Sequence, residues 1–159
     1  MASSKKQRIE QAADCWTACK LSVKFQSGFK CESPVTNSES AHKLIRATWD
    51  KGKLNMQEQM MAFFISIDKQ TVGYHAFFMG TVDRTYGNLR FIVSFALHTL
   101  ACSVILAHNH PSGSLVPSPS DITLTKHIKG ALNLIEVKLL DHLIINEKTY
   151  LSMSDEGFM

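Results

Sequence analysis

The residues with the most chemical potential are His108, His110 and Asp121, in the run Ala107-His108-Asn109-His110-Pro111-Ser112-Gly113 and the later Ser118-Pro119-Ser120-Asp121. In an extended chain residues two apart project to one face, so a His-x-His pair can aim both imidazoles at a common centre. A catalytic metal site needs a third protein ligand and an open position for water. Asp121 supplies that ligand if the intervening loop folds back over the strand end. Nitrogen and oxygen donors without thiolate suit Zn2+, and Mn2+, Fe2+ or Co2+ would accept the same set. Asp121 also has a purely structural explanation. Ser118 is a good N-cap, Pro119 a good first helical residue, and Asp121 then completes a capping box. Both hold together, because a cap fixes where the helix begins and so where the carboxylate points.

A water activated for attack needs a base to take its proton. Glu58 and Asp68 flank one apolar run, residues 60–67, and position alone does not choose between them. His42, His75, His98 and His127 stand alone and read as surface or packed histidines. His142, in Leu139-Leu140-Asp141-His142-Leu143, lies on an apolar stretch beside an acid. It reads as packing or as support for a ligand rather than as a ligand.

The elements that must position these groups follow from periodicity. Leu21, Val23 and Phe25 alternate with polar residues across 20–30, the pattern of a half-buried edge strand. Ser33-Pro34 breaks it. N-cap candidates at 37–40 precede Ala41, Leu44, Ile45, Thr48 and Trp49 at helical spacing, and Gly52 ends that helix. Residues 60–67 read as a central strand covered on both faces, paired as a hairpin with a strand over 72–79. Residues 80–87 are turn-rich, and Leu89, Ile92, Val93, Ala96, Leu97 and Leu100 mark a helix on the sheet. A buried strand over 103–107 leads into 108–119, whose three prolines and one glycine predict irregular structure. A helix over 119–134 and strands over 137–145 and 150–153 follow. Alternating strands and helices predict an α/β fold, one mixed sheet sandwiched by helices in a single domain.

Composition sets the outer limits. At 159 residues, 45% hydrophobic and 19% charged, the chain can bury a core in one domain, which argues against a disordered or fibrous role. No run approaches about 18 consecutive apolar residues, and the N-terminus lacks the apolar core of a secretion signal, so a cytoplasmic protein without membrane partners is expected. Cys15, Cys19, Cys31 and Cys102 form no Cys-x-x-Cys pair and are expected to be reduced. The net charge of +3 is concentrated in residues 1–30, where Lys5, Lys6, Arg8, Lys20, Lys24 and Lys30 face only Glu10 and Asp14. The expected organisation is a basic extension over 1–32 with an edge strand, then a domain over 33–159. The extension reads as a solvated segment, with DNA as the partner it could touch.

Taken together, His108-x-His110, Ser118 and Asp121 with an upstream glutamate resemble the metalloprotease signature of the JAB/MPN (JAMM) family. The string His108-Asn109-His110-Pro111-Ser112-Gly113, with Pro117-Ser118 and the later Leu140-Asp141-His142-Leu143-Ile144, is similar to its bacterial RadC branch, from about Val35 to Met159. Aligning Gly73 and the His108 motif with RadC-like chains without gaps puts Glu58 at the family's glutamate and Asp68 in the following turn. The resemblance implies that His108, His110 and Asp121 bind one Zn2+. It also implies that Glu58 is the general base, that Ser118 stabilises the oxyanion, and that a protein or peptide substrate is cleaved at a peptide or isopeptide bond. Residues 79–88 depart from the glycine-rich turn of many RadC-like chains, which implies different substrate contacts. Longer RadC proteins carry an N-terminal helix-hairpin-helix DNA-binding module, which is not expected within these 159 residues. Two other readings come with the resemblance: a DNA repair-associated protein acting on or binding DNA, and a binding module whose zinc is structural.

Overall fold

A computed structural model describes residues 33–78 and 85–159 of the chain. The expected edge strand and basic arm of residues 1–32 lie outside the described residues.

Strand β1, Gln59–Ile65, is buried along its whole length because Met60, Met61, Ala62, Phe63, Phe64 and Ile65 put apolar groups on both faces. Such a strand needs neighbours on both edges and cover on both faces. Its edges pair antiparallel with β2, Thr71–Phe78, and with β3, Ser103–Asn109. β3 pairs parallel with β4, Lys138–Ile145, and β4 pairs antiparallel with the short β5, Tyr150–Ser152. The result is a mixed five-stranded sheet in the order β2-β1-β3-β4-β5.

Helix α1, Ser38–Thr48, covers one face. Its Ala41, Leu44 and Ile45 pack with Trp49 and Leu54 against Met61, Phe63, Ile65, Ile105, Ala107, Leu143 and Ile145. Helices α2, Thr85–Thr99, and α3, Pro119–Asn133, cover the other. There Ile92, Ala96, Leu124, Ile128 and Leu132 meet Met60, Ala62, Phe64, Val104 and Leu106. A parallel pair cannot be joined by a tight turn, and α3 is the crossover between β3 and β4.

The expected α/β sandwich is therefore present, with local corrections. β3 runs on to Asn109, so His108 and Asn109 are strand residues rather than loop. Both are fully buried; β4 pairs with each of them, and β1 pairs with His108. Ile67 stands 78% exposed in the turn after β1, where no neighbouring strand remains to cover it. Residues 85–87, expected as turn, form the first part of α2. Among the described residues, no helix is long and apolar enough to cross a membrane.

Candidate metal centre

Strand alternation sorts the end of β3. Val104 and Leu106 face α2 and α3, so His108 faces them too, and His110 follows in the same register. α3 begins beside them because Ser118 and Asp121 form the expected capping box. Ser118 Oγ accepts from Asp121 N at 3.2 Å, and Asp121 Oδ2 accepts from Ser118 N at 2.7 Å. The cap thus aims the Asp121 carboxylate at the two imidazoles.

His108, His110 and Asp121 each offer one atom, all within 4.8 Å of one another. The two Nε2 atoms are 3.0 Å apart, and Asp121 Oδ2 lies 3.6 Å from that of His108 and 3.4 Å from that of His110. Ligands of a tetrahedral zinc at ordinary bond lengths stand about 3.3 Å from one another. The donor set and its spacing fit such an ion.

Each candidate ligand is held from behind. The turn at Pro111-Ser112 is closed by Gly113 N donating to His110 O at 2.8 Å, and Gly113 adopts φ +77°. A side chain is strained at that φ, which explains the glycine. The turn brings the Ser114 carbonyl to 3.0 Å from His110 Nδ1. A carbonyl only accepts, so Nδ1 carries the hydrogen and Nε2 presents its lone pair. Burial alone would raise the Asp121 carboxyl, but His108 beside it and the Ser118 hydroxyl and amide hold it well below the usual carboxylate range. His142 lies behind His108, its Nε2 2.8 Å from His108 Nδ1, and supports that ring rather than joining the ligand group.

Glu58 and Asp68, equivalent on the sequence, are separated by the fold. Met60 pairs with His108 and Ile65 with Ser103, so Glu58 adjoins the histidine end of β1 and Asp68 the far end. Glu58 is half-buried and directly precedes β1, and His110 directly follows β3. Ser118 lies beside the centre, its Oγ 2.7 Å from Asp121 Oδ2. Residues 79–84, part of the segment expected to alter substrate contacts, lie outside the described residues.

Two supporting residues were not singled out from the sequence. Asn109, between the two histidines, must point to the opposite face, and its amide holds the segment that carries Glu58. Thr125 lies one turn into α3 from Asp121. The signal available for Asn109 was a polar residue forced by alternation into an apolar layer.

A mixed α/β sheet with a His-x-His strand end facing a helix cap defines a JAB-type domain. The RadC-like JAB domain model matches residues 35–158, and the chain belongs to that family. Similar curated proteins include a UPF0758 protein of Streptococcus sanguinis, 43% identical over 103 residues, covering 65% of this chain and 45% of the relative. A UPF0758 protein of Latilactobacillus sakei is 37% identical and one of Marinomonas 39%, each over 103 residues, covering 65% of this chain and 46% of the relative. The chain thus spans less than half the length of these relatives.

Proposed function

We propose that this domain is a zinc-dependent hydrolase of the JAMM type that cleaves a peptide or isopeptide bond. The observation that carries the reading is the convergence of His108 Nε2, His110 Nε2 and Asp121 Oδ2 at tetrahedral spacing, with Glu58 adjoining the histidine end of β1. A bound Zn2+ supplies Lewis acidity, which polarises a carbonyl and lowers the pKa of water. Glu58, outside the ligand group, takes the proton of the attacking water and returns it to the leaving amine nitrogen. The Ser118 hydroxyl turns its proton from Asp121 Oδ2 to the developing oxyanion, and Ser118 N keeps its bond to that carboxylate. A DNA-directed role would draw on Lys5, Lys6 and Arg8, outside the described residues.

The test joins metal content to turnover. Elemental analysis should find about one zinc per chain in the wild type, lost in His108→Ala and Asp121→Ala. Glu58→Gln should keep the zinc and lose roughly 10²–10⁴-fold in hydrolysis of peptide and isopeptide substrates. Wild-type turnover by Glu58→Gln would refute the mechanism. Chelation should remove the ion and leave the fold standing, whereas unfolding on chelation would make the zinc structural.

A further inference from the structure

The polar contacts behind His108 run through three residues into α3. His108 Nδ1 lies 2.8 Å from His142 Nε2, and His142 Nδ1 lies 2.6 Å from the Thr125 hydroxyl. That hydroxyl donates to the main-chain oxygen of Asp121 at 2.6 Å. Thr125 and His142 are fully buried, so water does not replace these partners.

Donor and acceptor roles give the chain of contacts a direction. A hydroxyl has one hydrogen, and a carbonyl oxygen can only accept. With that hydrogen on the Asp121 carbonyl, Thr125 Oγ1 accepts from His142 Nδ1. A neutral imidazole has one N–H, so His142 Nε2 must accept, and His108 donates from Nδ1. The Nε2 of His108 is then a bare lone pair, 3.0 Å from the equally bare Nε2 of His110 and 3.6 Å from a carboxylate oxygen. A cation, either a metal ion or a proton, satisfies three such atoms facing one another. The opposite direction would put a hydrogen on His108 Nε2, where it blocks ligation.

We infer that His142 and Thr125 are positioning residues that lock His108 in its metal-binding tautomer, with the main-chain carbonyl of Asp121 as the anchor of the relay. The inference rests on the metal-centre reading proposed above. One residue thereby acts twice: the Asp121 carboxylate faces the ion, and its carbonyl orients a second ligand from behind. Metal-binding histidines usually give their second N–H to a carboxylate, a carbonyl or water. Here a neutral histidine takes that place and passes the constraint to a helix.

Nitrogen-15 NMR of the imidazoles in the zinc-free wild type, at a pH where both rings are neutral, reads the tautomers directly. Both His108 and His142 should carry their hydrogen on Nδ1, and a hydrogen on His108 Nε2 would overturn the inference. Thr125→Val keeps the shape and removes the hydroxyl. It should weaken zinc binding, measured by competition with a chromophoric chelator, by about 10–100-fold, with Thr125→Ser restoring it. Wild-type affinity and an unchanged His108 tautomer in Thr125→Val would also overturn it. If Thr125→Val fails to fold, the wild-type spectrum and the affinity of Thr125→Ser still decide. A wild type with both Nδ1 hydrogens but no zinc uptake would refute the metal reading and leave the relay standing.

Discussion

The side-chain amide of Asn109 holds the main chain on both sides of Glu58. Its Nδ2 donates to Leu54 O at 2.5 Å and to Gln57 O at 2.9 Å, and its Oδ1 accepts from Gln59 N at 2.8 Å. The residue is fully buried and sits between the two histidines while pointing to the other face of the sheet. One side chain thus ties the histidine strand to the segment bearing the proposed base.

Asn109→Ala leaves those three main-chain groups without their partner and should cost about 2–3 kcal/mol in stability. Zinc content should stay close to wild type while hydrolysis falls at least tenfold, since Glu58 loses its fixed position. Asn109→Asp should be worse, because it sets a carboxylate oxygen against two carbonyls. Thermal melts, elemental analysis and turnover of the two variants check this. Full activity in Asn109→Ala would show that Glu58 needs no such tether.

Gly113→Ala meets no steric obstacle, as nothing lies within 4 Å of the added carbon, so its cost isolates the backbone conformation at φ +77°. Strain of about 1–2 kcal/mol is expected. The turn that brings the Ser114 carbonyl to His110 should loosen, lowering zinc affinity more than it lowers the melting temperature. Gly113→Asn should lie between, because asparagine tolerates the left-handed region better than alanine. Chelator competition with matched melts distinguishes the two effects.

The zinc-free domain should lose stability as pH falls from about 7.5 to 5.5. Burial first, then the neighbouring His108, holds His142 well below the ordinary 6.5, with Asp121 opposing and His110 adding to the effect. Burial also lowers His42 and His75. Below the ordinary histidine pKa the unfolded chain takes up protons that these folded histidines refuse, so acidification favours unfolding. Asp121, depressed from 3.8, keeps its contribution throughout this window and loses it only at lower pH. Buried Asp141 is raised and acts in the opposite sense, its contribution fading as pH rises. Denaturant melts across the range should show stability rising with pH, with a shallower slope in His142→Gln. An equal slope in that variant would place the proton uptake elsewhere.

Much of the architecture was legible because it follows from local rules. A short unbroken apolar run, as at 60–65, reads as a strand covered on both faces, and Ser118-Pro119 with Asp121 three residues past the cap reads as a helix start. His-x-His at a strand end aims two rings one way whatever the rest of the chain does. What stayed open depended on pairing between segments far apart in sequence. Glu58 and Asp68 flank the same run, and only the antiparallel register of Met60 with His108 sets one beside the centre and the other at the far end. The same is true of His142 behind His108, which requires β4 to lie parallel to β3 with Leu106 opposite His142. Asn109 and Thr125 acquire their roles from partners about 50 and 17 residues away. The amino-acid sequence by itself determined most of the elements, the cap and the candidate donor types, because these arise from periodicity and neighbouring residues. Tertiary structure alone decided which carboxylate adjoins the histidine end of β1 and which buried groups contact the histidines, because strand register and long-range contacts exist only once distant segments are packed together.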